Sequence, residues 1–149
     1  MRNLVYLTSL IILISCKESI YDLNNDLNND RIYIEVENGD KTKDTIEFDI
    51  LEKNTLWDSL KISRTKLIYM CGNASRYFAN YNVSFKSTYK YEKSQMIGFD
   101  RDSNEICITI GGSCENAYGV RDNIYNNIYF DSKAKIKRDK KGYPKIDTF

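Results

Sequence analysis

Apolar and polar residues alternate with a period of two over much of the chain. Ile32, Ile34 and Val36 alternate with polar side chains, and residues 45–50 repeat the pattern. Such alternation is typical of a strand that buries one face. Residues that favour turns separate these segments at positions 38–39, 101–104 and 111–112. The same pattern predicts further strands at residues 81–91, 96–100, 105–110, 124–130 and 134–137.

Two segments depart from this alternation. Residues 67–71, Leu-Ile-Tyr-Met-Cys, form a continuous apolar run that predicts a strand buried on both faces. In residues 54–63 the spacing of Leu56 and Leu60 favours a short helical turn capped by Asn54.

The number and spacing of these elements indicate the fold class. Seven or eight short strands with at most one helical turn predict an all-β fold, an antiparallel β-sandwich. A small up-and-down β-barrel is the alternative. The sandwich is favoured because connections in the first half of the chain look longer than simple hairpins.

The first sixteen residues follow a different pattern. Arg2 precedes an apolar run over residues 4–14, which is short of the ~20 residues of a membrane-spanning helix but has the layout of a secretory signal. The run ends in Leu13-Ile14-Ser15-Cys16, which resembles the lipobox of bacterial lipoproteins. The resemblance implies cleavage before Cys16 and a lipid on its thiol, which anchors the protein to a membrane. An ordinary cleaved signal with a chance cysteine is the alternative.

The lipobox resemblance sets the expected organisation of the chain. In that family a residue other than Asp after the cysteine, here Lys17, usually favours delivery to the outer membrane. We expect four segments: a signal peptide over residues 1–15, a lipidated N-terminus with a flexible tether over residues 16–30, a β domain over residues 31–137, and a loose basic tail over residues 138–149.

The tether repeats Leu-Asn-Asn-Asp and alternates Asp and Asn in the manner of a calcium loop. The sixth and twelfth positions of such a loop hold Gly and Glu, whereas here they hold Leu27 and Tyr33. A flexible spacer is therefore favoured, and no metal or cofactor is predicted.

Composition argues against catalysis and nucleic-acid binding. Lys and Arg total 22 against 21 Asp and Glu, so the charge gives no reason to expect a nucleic acid. The absence of histidine excludes Ser-His-Asp and Cys-His sites. A pair of carboxylates of the glycosidase kind stays open, but the sequence does not locate one. We expect a protein that is not an enzyme.

Tyrosine is the residue that most suggests binding. The chain has twelve tyrosines, and tyrosine supplies large contact area at low entropic cost. The alternative is that they fill a half-buried sheet. The tyrosines predicted to line a patch for a protein or glycan are Tyr69, Tyr77, Tyr118, Tyr125 and Tyr129.

Residues 71–77, Cys-Gly-Asn-Ala-Ser-Arg-Tyr, are similar to a Ser- and Gly-rich, tyrosine-containing motif of periplasmic lysozyme-inhibitor lipoproteins. That likeness implies a loop that inserts into the cleft of another protein. The sequence thus leaves two hypotheses: a non-catalytic envelope module that binds a protein or glycan or serves structurally, and an inhibitor or immunity lipoprotein that neutralises a lytic enzyme or toxin.

Three cysteines remain besides Cys16. Export favours a disulfide between two of them. A turn at residues 110–111 would set Cys107 opposite Cys114, which is the favoured pair, and Cys71 with Cys114 is the alternative.

Overall fold

The computed structural model describes residues 20–26, 30–81 and 88–149. Three helices and seven strands follow one another along these residues. In chain order they are α1 (Ile20–Asn25), β1 (Arg31–Glu37), β2 (Lys43–Ile50), α2 (Lys53–Leu60), α3 (Arg64–Tyr81), β3 (Lys90–Tyr91), β4 (Ser94–Asp100), β5 (Glu105–Glu115), β6 (Arg121–Phe130) and β7 (Ile146–Thr148).

The seven strands form one mixed sheet in the order β1-β2-β4-β5-β6-β7, and β3 pairs with β5 beside β4. Five pairings are antiparallel. The pairing of β2 with β4 is parallel, because the chain between them crosses over through α2 and α3. The prediction of a mostly β fold with about seven strands is confirmed. The described strands do not close into a barrel, since β1 and β7 are the ends of the pairing order.

Helix α3 covers one face of the sheet and forms the centre of the core. It packs against β1, β5 and β6. Its buried apolar side chains recur at helical spacing and are at most 1% exposed: Leu67, Met70, Cys71, Ala74 and Phe78. Ser63 begins the helix by accepting a 3.3 Å hydrogen bond from the Lys66 N–H, as an N-cap residue does.

The strand predicted at residues 67–71 is therefore wrong, because those residues lie within α3. The run of five apolar residues hides a 3.6-residue period that continues through Ala74 and Phe78. The helical turn predicted at residues 54–63 is confirmed as α2, but its N-cap residue is Glu52 and not the predicted Asn54.

The glycine pair at 111–112 lies inside β5 and does not end it. A Cβ on Gly112 would lie 2.5 Å from the carbonyl oxygen of Lys90 and 2.7 Å from Cζ of Phe78. A Cβ on Gly111 would lie 2.5 Å from Cδ1 of Tyr125 on the other face. These glycines let a helix and a tyrosine ring approach the strand closely, and the predicted turn is wrong for that reason.

The tail after residue 137 is docked, which corrects the prediction of a loose segment. Strand β7 pairs with β6, and the backbones of Tyr125 and Phe149 exchange two hydrogen bonds of 3.1 and 3.0 Å. Ile146 lies opposite Ile128 on the core side. Ile146 and Phe149 lie three residues apart and on opposite faces of the sheet, so no period-two alternation marks this segment in the sequence. Of the strand predicted at residues 134–137, an isolated bridge between Phe130 and Ile136 is present.

Part of the predicted tether is also docked. Residues Ile20–Asn25 form α1, and the Asn24 side chain exchanges hydrogen bonds of 2.7 and 2.8 Å with the backbone of Tyr33. The flexible-tether prediction is therefore wrong for this segment. The predicted signal peptide, Cys16, and most of the strand predicted at residues 81–91 lie outside the described residues.

Candidate functional site: a tyrosine groove beside helix α3

The exposed side of α3 carries two of the predicted tyrosines. Tyr69, Asn73 and Tyr77 are spaced four residues apart, so they share one helical face beside the buried one. Tyr69 is 60% exposed, and Tyr77 is half-buried against the core. This face forms one wall of a groove of about 410 Å³, which we call the tyrosine groove.

The last residue of β6 and the chain between β6 and β7 form the opposite wall. Phe130, Ala134, Lys135, Ile136 and Arg138 line it. The Asp131 side chain holds this turn by accepting hydrogen bonds of 2.9 Å from the backbone N–H groups of Lys133 and Lys135. Ala134 adopts a left-handed backbone conformation with φ of 63°. Hydrogen bonds between the Asp131 side chain and the backbone of this turn therefore hold the wall at the end of β6.

The groove is positively charged. Lys135 and Arg138 line it, and no Asp or Glu does so among the described residues. Neither cation has an ion-pair partner in the part of the chain that the structure describes, although Arg138 donates a 2.7 Å hydrogen bond to the carbonyl oxygen of Gly142. The tyrosine groove thus combines two aromatic rings, an amide and two cations.

The other predicted tyrosines lie elsewhere. Tyr125 and Tyr129 are on the face of β6 opposite the core, and Tyr118 lies in the β5–β6 hairpin. Tyr125 donates a 2.7 Å hydrogen bond to Glu92 and stacks on Phe149, with ring centroids 5.8 Å apart. The five tyrosines therefore do not form a single patch.

Tyr129 belongs to a polar cluster that fastens the C-terminal strand. Its hydroxyl donates a 2.8 Å hydrogen bond to Asp147, and Nζ of Lys145 lies 4.0 Å from the centre of its ring. Burial, together with that hydrogen bond, raises the pKa of Tyr129. Both Tyr125 and Tyr129 thus fix residues 145–149, which is the half-buried structural role that the sequence left as the alternative.

Glu105 is the acidic centre of this cluster and is 6% exposed. Its carboxylate lies 2.7 Å from Nζ of Lys145 and 3.2 Å from Nζ of Lys137. Burial alone would raise the pKa of Glu105, but the hydrogen bonds from the two lysines lower it below its ordinary value of 4.5. The carboxylate is therefore held in its charged form.

The cysteine prediction is corrected by the course of β5. Cys107 and Cys114 lie seven residues apart on this one continuous strand, about 23 Å at ~3.3 Å per residue, so they cannot form a bond. Cys71, the partner in the alternative pair, is buried in α3, and all three thiols are free. Burial raises the pKa of the Cys71 thiol well above its ordinary value, which makes it a small apolar core residue.

Within the described ranges, no group of three or more acidic or cysteine side chains is placed to hold a metal ion. None of the helices in the described part of the chain is both long and apolar enough to cross a membrane. The segment at residues 71–77 that resembles lysozyme-inhibitor lipoproteins is part of α3, so it is not the inserting loop that the likeness implies.

Sequence reasoning found Tyr69 and Tyr77 but missed the rest of the tyrosine groove. Asn73 would have been found from its spacing between the two tyrosines, had residues 67–71 been assigned to a helix. Lys135 and Arg138 lie among basic residues in a segment with little apolar pattern, and only the folded turn brings them to α3. Comparison of the chain with protein-family models, with curated proteins and with solved structures gives no match in any of the three.

Proposed function

We propose that the protein is a lipoprotein of the cell envelope, anchored at the outer membrane through Cys16. In this proposal its folded domain is a non-catalytic module that binds an acidic segment of a partner protein in the tyrosine groove. The resemblance of residues 13–16 to a lipobox supports the anchor. The lining of the tyrosine groove supports the binding function.

The observation that carries the binding function is the pairing of aromatic and cationic groups in a groove that no carboxylate of the described residues lines. Tyr69 offers a large, rigid ring to a ligand, and Asn73 offers an amide that can donate and accept. A carboxylate between Lys135 and Arg138 would gain charge-assisted hydrogen bonds. A groove of about 410 Å³ holds a few side chains of an extended segment and lies within the usual size of ligand sites.

The test is a titration of the purified full-length chain, in detergent, with the fluorescent peptide Glu-Phe-Glu-Phe-Glu. We expect binding that weakens with salt, since it depends on two cations. Tyr69→Ala and Lys135→Gln should each weaken it at least about fivefold, or ~1 kcal/mol. Tyr143→Ala removes an equally exposed tyrosine outside the groove and is the control.

A peptide with Lys in place of Glu should not bind. Equal affinity of the wild type and both groove variants for the acidic peptide would contradict the proposed site. Equal affinity for the acidic and basic peptides would contradict the electrostatic argument.

One observation favours the second candidate function, an inhibitor or immunity lipoprotein. Tyr118 is 91% exposed at the tip of the β5–β6 hairpin. Asn116 fixes this tip by accepting hydrogen bonds of 2.9 and 3.1 Å from the N–H groups of Tyr118 and Val120. A rigid hairpin with a projecting aromatic ring suits insertion into an enzyme cleft. In that case the wild type would inhibit a purified cell-wall muramidase and Tyr118→Ala would not.

A further inference from the structure

Strand β1 is an edge of the sheet, and its odd-numbered residues direct their backbone groups away from β2. The even-numbered residues pair with β2, as the 2.8 Å bond from the Ile50 N–H to the Asp30 carbonyl shows. In an antiparallel pair, hydrogen-bonded positions alternate with positions whose N–H and C=O groups point outward. The outward groups of β1 therefore belong to residues 31, 33, 35 and 37.

Side chains from other elements cover four of these outward backbone groups. Asn24 bonds both the N–H and the C=O of Tyr33, in the manner of a neighbouring strand. The Tyr89 hydroxyl donates a 2.7 Å hydrogen bond to the Glu37 carbonyl, and the Arg64 guanidinium donates to the Arg31 carbonyl. Such covering is a common protection of sheet edges against pairing with other chains.

Three adjacent backbone groups are left uncovered by any described residue: the N–H and C=O of Glu35 and the N–H of Glu37. They are two donors and one acceptor in line along the strand. In an antiparallel arrangement, one residue of an added strand would bond both groups of Glu35, and a residue two positions earlier would accept from Glu37. The uncovered part of the edge is therefore long enough to pair with about three residues of an added strand.

This uncovered part of the edge faces a second groove of about 360 Å³, lined by β1, α3 and the tyrosines at 89 and 91. The α3 side of the groove carries Gly72, Ser75 and Ala79, so small residues leave space beside the edge. A Cβ on Gly72 would meet no atom within 4 Å. Arg76 also lines the groove and has no ion-pair partner among the described residues.

We propose that the edge of β1 at Glu35 is a second binding site, which adds an extended segment of a partner protein as an antiparallel strand. The residue opposite Glu35 would direct its side chain to the outer face of the sheet, because paired residues share a face. The residues on either side of it would enter the groove next to Ile34 and Val36, and small apolar side chains fit there. A carboxylate on the segment would meet Arg76. This site is distinct from the tyrosine groove in place and in chemistry.

The same geometry argues against a second copy of this chain as the occupant. Pairing of two β1 edges about Glu35 would place two Glu35 side chains opposite each other, which is unfavourable for like charges. It would also bring the N–H of Glu37 to the carbonyl of Tyr33 in the other copy, which Asn24 already occupies. A separate peptide has neither difficulty.

The test uses the full chain labelled with ¹⁵N, in detergent, and the peptide acetyl-Ala-Glu-Lys-Val-Ala-amide, in which Lys lies opposite Glu35 and the adjacent Glu and Val face the groove. Binding should shift the amide signals of Glu35 and Glu37 and slow their hydrogen exchange by at least about tenfold at saturation. The matched control is the same peptide with an N-methyl group on Lys, which removes the N–H that bonds the Glu35 carbonyl. Equal binding of both peptides would overturn the proposal.

Protein variants test the same edge from the other side. Glu35→Pro removes the outward N–H without removing a bond to β2 and should abolish binding, whereas Glu35→Ala keeps the N–H and should bind. Asn24→Ala uncovers Tyr33 and should tighten binding, with Asn25→Ala as its control. Self-association of Asn24→Ala in place of tighter peptide binding would overturn the choice of occupant. Tyr69→Ala should leave this peptide's affinity unchanged, which separates failure here from failure of the tyrosine groove.

Discussion

Replacement of Asn126 by leucine should stabilise the protein. Asn126 is fully buried on the core face of β6, opposite Ile110 of β5 and two residues before Ile128. Among the described residues, neither its side-chain nitrogen nor its side-chain oxygen has a hydrogen-bond partner. Leucine has nearly the same shape, so Asn126→Leu removes the polar atoms and leaves the packing in place.

The size of the effect follows from the cost of burying polar groups without partners. Each such group costs ~1–3 kcal/mol, because it loses its hydrogen bonds to water and gains none in the protein. A conservative expectation for the two atoms together is a gain of ~2 kcal/mol in the free energy of unfolding. For a chain of this length that gain corresponds to an increase of about 6 °C in Tm.

The assay is urea unfolding followed by circular dichroism, with thermal melts as a second measurement. The control is Asn127→Leu on the opposite face, because Asn127 accepts a 2.7 Å hydrogen bond from the Thr109 hydroxyl. That variant should lose ~1 kcal/mol of stability. A loss of stability in Asn126→Leu would refute the reasoning, since it would mean that the buried amide is satisfied in the native protein.

Three further predictions test the packing and electrostatics of the sheet. Gly112→Ala should lower the free energy of unfolding in urea by ~1–3 kcal/mol, because its Cβ would lie 2.5 Å from a backbone carbonyl oxygen. Gly98→Ala, whose Cβ would lie 4.0 Å from the nearest carbonyl oxygen, should lower it less and is the control. The free energy of unfolding should fall as the pH drops below 4.5 and through the lowered pKa of Glu105, because a carboxylate with a depressed pKa contributes stability only while it is ionised. In Glu105→Gln this fall should be shallower. Truncation after Lys137 removes β7 and Lys145 and should cost at least ~2 kcal/mol, and an unchanged unfolding midpoint would contradict the docked tail.

The alternating segments are the part of the fold that the sequence predicts well. At residues 32–36 and 46–50 each apolar side chain faces the core and each polar one faces away, so the period of two is visible directly. The pattern is less regular at residues 96–100, where the apolar Met96 is exposed, and at residues 124–130, where the polar Asn126 is buried on the core face. Strand ends are less visible, because β5 continues through its glycines to Glu115.

Helix α3 was missed because its apolar residues are contiguous at one end. Leu67, Met70 and Cys71 have helical spacing, but Ile68 and Tyr69 fill the gaps and give the appearance of a buried strand. Because residues 67–71 were assigned to a strand, the sequence did not show that Tyr69 and Tyr77 lie on the same face of one helix. Of the eight residues that line the tyrosine groove, only Tyr69 and Tyr77 were therefore identified, and by residue type alone.

The remaining errors concern long-range contacts, which no local pattern contains. The glycine pair is explained by Phe78 and Tyr125, which are distant in sequence. The disulfide prediction failed because it depended on a turn at those glycines. The tail docks through Glu105, a residue 40 positions before Lys145.

The most direct test of the central claim, an envelope module anchored by lipid, is metabolic labelling with a fatty-acid analogue. The wild type should carry the label and fractionate with membranes, and Cys16→Ser should lose the label and either leave the membrane fraction or accumulate as an uncleaved precursor. Cys107→Ser, which changes a half-buried thiol in β5, should remain labelled and is the control. Undiminished labelling of Cys16→Ser would contradict the claim that this protein is anchored through Cys16.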